Sequence, residues 1–437
     1  MTDHTQATVA ELSRLYQSGE ASPVAVAEQV LAKIQRLNPT LNAFCFLDPD
    51  TTIQQALASE QRWQQQQPLS MLDGVPIAIK DLLYVQGWPT LKGSQATDPN
   101  QPWTEDSPMV AQLRTAGMVF VGKTTTSEFG SKLATDSLLN GITRNPWSTK
   151  YSPGGSSGGS AVAVSSGMVP CALGTDHTGS VIVPAAFCGI TGFKPTYRLL
   201  PNSADSLFEC SHVGCFAHST SDLALMLGIK LNDPVISTLK VAYCVDLGFK
   251  KNVNHEIVLA VEQVAQKLSQ LGADVSEVSH IVDDPVHVAS EMFLAEMHQQ
   301  WNMLDQAQQQ LTDRAFRDWA FQGSQISQRH MTQLKLQQLQ LKKQMHSFMK
   351  SYDVILCAST TVTADAFDPT ALATDMLLSY LFNLTHQPCV NVPVGVNQYG
   401  MPIGVLLAGA VGADALVLET AQAVESMFPM PRCPVIL

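Results

Sequence analysis

The chain has 437 residues, of which 45% are hydrophobic and 15% are charged. This composition excludes disordered, collagen-like and coiled-coil proteins, which contain fewer apolar or many more charged side chains. With 26 Lys and Arg against 38 Asp and Glu, the formal net charge of −12 disfavours binding to a phosphate backbone or to an anionic membrane surface. We expect a globular protein without a nucleic-acid or membrane partner.

The first ten residues are mostly polar, and no stretch reaches the roughly 20 apolar residues that a membrane span requires. A cytoplasmic location is therefore predicted. The nine cysteines are odd in number, scattered and mostly set in apolar runs. This pattern favours reduced core thiols over a disulfide framework.

The N-terminal part of the chain has a helical pattern of apolar residues. Apolar residues in 8–37 recur at helical spacings and predict two amphipathic helices, with Ser22 and Pro23 as N-cap and first-turn residue of the second. The pattern then predicts, in chain order, a helix over 51–66, a strand over 75–79, a helix from Ser107, and a strand over 118–121 that ends in a turn at Gly122. Strands and helices thus begin to alternate, as in a largely buried sheet.

The block 151–192 holds a dense cluster of glycines and serines, which lets backbone segments approach one another or a ligand closely. The Gln-rich stretch 291–350 is helical, with little beyond Gly323 to interrupt it, and is expected to form a layer over the sheet. The remaining predicted elements are helix 222–227, strand 239–245, helix 254–271, strands 275–278, 354–357 and 390–394, and helix 413–425.

Two motif matches are weak on physical grounds. Gly117–Thr124 satisfies the phosphate-loop pattern G-x4-G-K-[ST], but its apolar residues 118–121 are typical of a strand interior rather than of a loop. Gly154–Gly158 satisfies the G-x-S-x-G nucleophile elbow, but the polar, proline-containing segment before it is not a strand. We therefore interpret the first segment, Gly117–Thr124, as a strand with a turn. We interpret the second, Gly154–Gly158, as a loop of small residues.

A third match is a set of zinc-ligating residue types in a short segment: Cys210, His212, Cys215 and His218. Their spacing matches none of the common structural zinc sites, and the segment alternates like a strand. We interpret these residues as core or as the lining of an active site, and we predict no metal.

Three polar residues, Lys80, Ser156 and Ser180, indicate a functional site only when they are considered together. Lys80 ends the apolar strand V-P-I-A-I-K-D, where a lysine is costly to bury unless it is paired or neutral, although many strand-end lysines reach solvent. Ser156 and Ser180 lie in small-residue turns that flank apolar stretches. Turn serines are common, so each is a weak signal alone.

Together with their flanking motifs, these residues resemble the amidase signature family. The resemblance covers nearly the whole chain and is weakest between about 246 and 351. The matching segments are Ile34–Phe44, Asp73–Leu83, Glu105–Gly117, Gly122–Phe129, Thr143–Trp147, Ser152–Ala161, Pro184–Thr196 and Asn391–Val405.

The resemblance implies one α/β domain over residues 1–437, with a mixed, twisted central sheet covered by helices on both faces. Its parts would be N-terminal helices (1–68), a catalytic core (70–245), a helical layer (285–350) and a C-terminal return to the sheet (351–437). No internal repeat or long linker in the sequence divides the chain.

The resemblance also implies a Ser-Ser-Lys triad, in which Ser180 is the nucleophile, Ser156 the bridging serine and Lys80 the base, with a cis peptide bond between Gly155 and Ser156. Neither a metal nor an organic cofactor is required. The backbone N–H groups of the turn at the nucleophile would form the oxyanion hole. They belong to His177, Thr178, Gly179 and Ser180.

The nucleophile loop departs from the family pattern D-T-G-G-S-x-R. Thr178 replaces the first glycine, and a β-branched residue would be strained there if the position needs a positive φ. Ile182 replaces an arginine that in the family pairs with the loop aspartate, so Asp176 is predicted to lack its usual partner. His177 is a candidate substitute, and a neutral histidine facing the substrate channel is the alternative.

The resemblance predicts an amidase that hydrolyses a linear carboxamide through a serine acyl-enzyme and releases ammonia or an amine. Three alternatives stay open: a ureide or carbamoyl amidohydrolase, the glutamine-amidase subunit of a tRNA-dependent amidotransferase, and an impaired family member that acts as a binding protein. The substrate is a small-molecule amide of undetermined acyl and amine parts, a homodimer is one of the oligomeric states left open, and the pocket walls are expected from 202–216 and 291–350.

Overall fold

The computed structural model describes residues 3–201, 209–233, 235–250, 252–367 and 377–434. In these residues, eleven strands form one sheet and two more form a separate ribbon, β4–β5. The strands are β1 (Phe44–Leu47), β2 (Pro76–Lys80), β3 (Val119–Thr124), β4 (Asp136–Ser137), β5 (Gly141–Ile142), β6 (Cys171–Asp176), β7 (Thr191–Lys194), β8 (His212–Ala217), β9 (Lys240–Tyr243), β10 (Asp274–Glu277), β11 (Val354–Ala358), β12 (Cys389–Val396) and β13 (Pro402–Gly409).

Helices surround this sheet. In chain order they are α1 (Val9–Ser18), α2 (Pro23–Leu41), α3 (Pro49–Gln64), α4 (Pro108–Thr115), α5 (Gly158–Ser165), α6 (Ile182–Cys188), α7 (Thr220–Leu227), α8 (His255–Gln270), α9 (Val286–Asn302), α10 (Gln306–Gln310), α11 (Arg314–Ser324), α12 (Gln328–Phe348), α13 (Tyr380–Leu384) and α14 (Asp414–Met427).

The large sheet has the strand order β1-β3-β2-β6-β8-β7-β12-β13-β11-β9-β10. β2 runs parallel to β3 and β6, and β9 runs parallel to β10 and β11, whereas the other neighbours are antiparallel. β2, β3, β8 and β13 are buried along their whole length, which explains their apolar runs. The predicted mixed sheet flanked by helices is confirmed.

Capping residues begin both N-terminal helices, and those of the second helix are the ones that the sequence predicts. Thr8 and Glu11 form a capping box at the start of α1. The Ser22 side chain accepts a hydrogen bond from the Ala25 N–H, and Pro23 occupies the first turn of α2. The two predicted amphipathic helices are confirmed.

The predicted turn at Gly122 is wrong. Gly122 lies inside β3, which continues to Thr124. A Cβ atom at this glycine would lie 2.3 Å from the Phe46 carbonyl oxygen and 2.8 Å from Leu47 Cδ2. The glycine therefore serves the close approach of β1 to β3, not a change of chain direction.

The expected interruption of the helical layer near Gly323 is found, because α11 ends at Ser324 and α12 begins at Gln328. The layer consists of α9, α10, α11 and α12, and Gly323 lies inside α11. A Cβ atom there would lie 2.0 Å from the Leu294 carbonyl oxygen on α9. The glycine allows these two helices to pack closely. The layer also breaks at two further points, residues 303–305 and 311–313, which were not expected.

Among the described residues, the nine cysteines form no disulfide and seven of them are buried, which agrees with the predicted reduced core thiols. Among the described residues, no helix combines the length and the apolar character that a membrane crossing needs.

Candidate active site

Lys80 ends β2 and its amine is completely buried. Its Nζ atom lies 2.7 Å from Ser156 Oγ, 2.7 Å from Ser157 Oγ and 2.9 Å from Thr175 Oγ1. Within the described part of the chain, no carboxylate forms an ion pair with this amine. The described hydrogen-bond partners of Lys80 are hydroxyl and carbonyl groups, so no negative charge lies within hydrogen-bond distance of the buried amine.

Burial lowers the pKa of Lys80 well below its ordinary value of 10.5, and the more distant charge of Asp176 opposes this effect in part. Desolvation dominates because it penalises only the protonated amine. The neutral amine that results has a lone pair and can accept a proton from a neighbouring hydroxyl.

Ser156 lies in the loop that precedes α5, and the Gly155–Ser156 peptide bond is cis, as predicted. Thr135 fixes this loop on both sides of the serine. Its Oγ1 atom donates to the Gly154 carbonyl oxygen (2.8 Å) and accepts from the Gly158 N–H (2.9 Å). No strand precedes the serine, so the interpretation of G-x-S-x-G as a loop rather than an elbow is confirmed.

Ser180 lies in the turn between β6 and α6 and is 5% exposed. The Ser157 N–H donates to its carbonyl oxygen (3.3 Å), which joins the two serine loops. No described residue forms a hydrogen bond with Ser180 Oγ, including Ser156. Within the described part of the chain, this hydroxyl is therefore not held by a structural contact.

The turn before Ser180 contains four consecutive backbone donors that no described residue satisfies. They are the N–H groups of His177, Thr178, Gly179 and Ser180. The positive φ of this turn occurs at Gly179 (143°), and Thr178 has no positive φ. The strain expected at Thr178 is absent for this reason.

Asp176 has partners that replace the missing arginine. Its carboxylate accepts hydrogen bonds from the N–H groups of Val181 (2.6 Å) and Ile182 (3.4 Å) and from Asn383 Nδ2 (2.8 Å). Asp176 thus lacks its usual arginine, as predicted, and Asn383 of α13 takes the place of that partner. His177 does not take this role.

His177 instead contacts the helical layer. Its Nδ1 atom lies 3.2 Å from Glu296 Oε2 on α9 and 3.1 Å from Ser211 Oγ. Its ring lies 6.0 Å from that of Phe293. Two segments were expected to form the pocket walls. The segment 291–350 contacts the nucleophile loop through Glu296, and the segment 202–216 contacts it through Ser211. Residues 202–208 lie outside the described residues.

A family model for amidases matches residues 25–418. The chain belongs to the amidase signature family. Its relatives include a glutamyl-tRNA(Gln) amidotransferase subunit from Cyanothece sp. (strain PCC 7425 / ATCC 29141), which is 32% identical over 97% of this chain and 98% of the relative. An acylamidase of Rhodococcus erythropolis is 29% identical over 96% of this chain and 95% of the relative.

The fold is that of solved family members. The crystal structure of a bacterial aryl acylamidase of the amidase signature family superimposes with a TM-score of 0.88, at 24% identity, over 97% of this chain and 96% of that one. The predicted family is confirmed, and by family the protein is an amidohydrolase.

The lysine of the segment that matches the phosphate-loop pattern, Lys123, forms a buried ion pair in this amidase instead of lying in a loop. Lys123 lies within β3 and is completely buried, and its Nζ atom is 3.0 Å from Asp81 Oδ1 and 2.6 Å from Thr90 Oγ1. Burial raises the pKa of Asp81, and Lys123 opposes that effect. The strand interpretation of Gly117–Thr124 is confirmed.

The zinc-type residues of the amidase do not converge on one point. Among the described side chains, no group of metal-ligating atoms within 4.8 Å of one another includes Cys210, His212, Cys215 or His218. His212 and Cys215 are buried within β8, and burial lowers the pKa of His218 to about 4. Their interpretation as core residues agrees with these positions.

Several residues around the candidate triad escaped sequence reasoning. Ser157 had a signal, since it stands beside Ser156, but its contact with Lys80 depends on the loop geometry. Thr135, Thr175 and Asn383 belong to separate elements and carry no local pattern. Only the packing of those elements shows that they contact the site.

Proposed function

We propose that this amidase hydrolyses a linear carboxamide through a covalent acyl-enzyme, with Ser180 as nucleophile, Ser156 as proton bridge and Lys80 as base. The observation that carries the proposal is the buried amine of Lys80, whose lowered pKa and 2.7 Å distance to Ser156 Oγ suit it to accept a proton. Lys123 is buried to the same depth but has the carboxylate of Asp81 as a partner, which Lys80 lacks among the described residues.

The reaction needs two linked proton transfers. As Ser180 Oγ attacks the carbonyl carbon, its proton passes to Ser156 Oγ and the proton of Ser156 passes to Lys80 Nζ. The rotatable hydroxyl of Ser180 turns toward Ser156 for this step. The protons return by the same route to the leaving nitrogen, and the C–N bond breaks. Water then attacks the acyl-enzyme, again with Lys80 as base, and releases the acid.

The four N–H groups from His177 to Ser180, which no described residue satisfies, support the proposal. Attack on an amide carbonyl places negative charge on its oxygen, and preorganised backbone donors stabilise that charge. Loss of one such donor costs about 2.7–4 kcal/mol in a well-formed oxyanion hole. The unpaired donors adjoin the hydroxyl that would attack, which is the arrangement this role requires.

The test is ammonia release from a panel of aliphatic, aromatic and ureide amides by wild type, Ser180→Ala, Ser156→Ala and Lys80→Met. We expect each variant to lose at least about 10³-fold in kcat/KM on any amide that wild type cleaves. A fluorophosphonate probe should label wild type at Ser180 and leave Ser180→Ala unlabelled.

A matched control is Ser152→Ala, which removes a serine hydroxyl from the same loop without touching Lys80. Its activity should stay within a few-fold of wild type. Retained amide hydrolysis by folded Ser180→Ala would overturn the proposal. If wild type neither releases ammonia nor reacts with the probe, the impaired-member alternative replaces it.

A second candidate is favoured by one comparison, the 32% identity that extends over nearly the full length of an amidotransferase subunit. In this alternative, the same site would release ammonia from glutamine for a partner protein. Glutamine hydrolysis that rises when the protein copurifies with further subunits would support it. Turnover of other amides by the isolated chain, without glutamine hydrolysis, would exclude it.

A further inference from the structure

A second cluster of reactive side chains lies on the helical layer, away from Lys80 and the serines. His287 and Glu291 are one turn apart on α9, and His330 lies in the first turn of α12. One ligand atom from each residue lies within 4.8 Å of the others, and in the described residues this is the only such group of three or more. Each side chain is partly exposed, so an ion and its water could reach the cluster.

The donor set suits a transition-metal ion. Residues four apart on a helix project on the same side, which places His287 and Glu291 together. Their atoms Nε2 and Oε2 are 3.5 Å apart, and His330 Nε2 contacts the same carboxylate oxygen. Ligand atoms about 2.0–2.2 Å from a common tetrahedral zinc ion lie about 3.3–3.6 Å apart. Small rotations of these side chains would give that spacing.

A fourth residue orients one of the imidazoles. Gln333 Oε1 lies 3.3 Å from His330 Nδ1, one turn further along α12. With Nδ1 protonated, this contact leaves the Nε2 lone pair directed at the cluster. Metal-binding histidines are held in the same way, by an oxygen that accepts the N–H of the other ring nitrogen.

We propose that His287, Glu291 and His330 form a zinc-binding site that ties α9 to α12, with water as the fourth ligand. Two imidazoles and one carboxylate with an open position form a common zinc ligand set. The same α9 contacts the nucleophile loop through Glu296 and His177. A bound ion would therefore hold, at its N-terminal end, the helix that borders the candidate active site.

The test uses the intact chain after treatment with EDTA and removal of the chelator. Calorimetric titration with Zn²⁺ should show one site per chain, and Zn²⁺ should raise the melting temperature. Glu291→Gln and His330→Gln should each weaken binding by at least about tenfold, since even the loss of an outer-shell partner costs about 10–100-fold. Co²⁺ should give tetrahedral d–d absorption without a thiolate charge-transfer band.

The matched control is His280→Ala, which removes a histidine from a surface His280–Asp283 pair that has no third ligand among the described residues. It should bind Zn²⁺ like wild type. The metal-free stability of every variant is measured in EDTA, so that the loss of the Glu291–His330 ion pair is counted separately. Absence of binding by wild type would overturn the proposal, as would equal binding by wild type and both ligand variants, or a thiolate band with Co²⁺.

Discussion

The buried amine of Lys80 has opposite consequences for chemistry and for folding. Burial removes the proton at a pH where an exposed lysine keeps it, which supplies a base for the proposed reaction. The unfolded chain, however, binds that proton readily. Between the lowered pKa and about 10.5, folding therefore includes the cost of releasing it.

This linkage predicts the pH dependence of stability. Between the lowered pKa of Lys80 and about 10.5, the unfolded state binds one more proton than the folded state, so stability rises with pH in that window. The unfolding free energy of wild type, relative to Lys80→Met, should increase by up to about 1.4 kcal/mol per pH unit. Urea denaturation at pH 7, 8 and 9 measures it, with the exposed Lys150→Met as control. Parallel curves for wild type and Lys80→Met would show that the lysine keeps an ordinary pKa.

Lys123 and Asp81 form a buried pair whose partners depend on each other. We predict that Lys123→Met alone lowers the unfolding free energy by about 3–5 kcal/mol, because it leaves the Asp81 carboxylate buried without its cation. The double variant Lys123→Met/Asp81→Leu should recover most of that loss. Denaturation of all four proteins of this double-mutant cycle measures the coupling, and additive effects would contradict it.

At the scale of elements, the parallel strands β2 and β6 decide where the site lies. Ile79 pairs with Leu173, so the carboxyl ends of both strands reach the same edge of the sheet. Lys80 ends one strand, and the nucleophile loop follows the other. Sites in α/β sheets commonly lie beyond the carboxyl ends of the strands, where connecting loops meet.

The contact between α9 and α11 gives a prediction at the same scale. Alanine has a higher helix propensity than glycine by about 1 kcal/mol, yet Gly323→Ala should destabilise the protein by about 1–3 kcal/mol. The reason is the 2.0 Å approach of the new Cβ atom to the Leu294 carbonyl oxygen. Thermal and urea denaturation measure the effect. Ser324→Ala, exposed in the same helix, should change stability by less than about 0.5 kcal/mol, and a stabilised Gly323→Ala would show that the helices are further apart.

At the scale of the whole molecule, one sheet joins segments that are distant in sequence. Asn383 bonds with Asp176 across 207 positions, and Lys80 contacts Thr175 across 95. The candidate active site therefore depends on completion of the central sheet. It cannot form from the small-residue block 151–192 alone.

The cysteines give a prediction for the whole fold. Seven thiols are buried, and only Cys45 and Cys433 are partly exposed. The native protein should therefore react with DTNB at no more than two thiols, and the protein denatured in guanidinium at all nine. The pKa of Cys45 is raised by burial, so its reaction should be slow. Fewer than nine reactive thiols after denaturation without reductant would reveal a disulfide.

Local patterns predicted most of the elements in this protein. Capping residues and apolar periodicity defined α1, α2 and the strands β2 and β11, because these signals act over a few residues. The predicted turn at Gly122 was wrong, and the close packing of Gly323 against α9 was not foreseen. A glycine needed for close packing has the same local appearance as one needed for a turn, and the neighbour that decides between them lies elsewhere in the chain.

The sequence by itself determined the family, the fold class, and Lys80, Ser156 and Ser180 as candidate residues, because ordered motifs along the chain carry that information. Only the tertiary structure decided which groups surround them. The partner of Asp176 turned out to be Asn383, and the contacts of Lys80 include Ser157 and Thr175. Such contacts depend on distances between atoms of separate elements, and these distances follow from packing rather than from the order of residues.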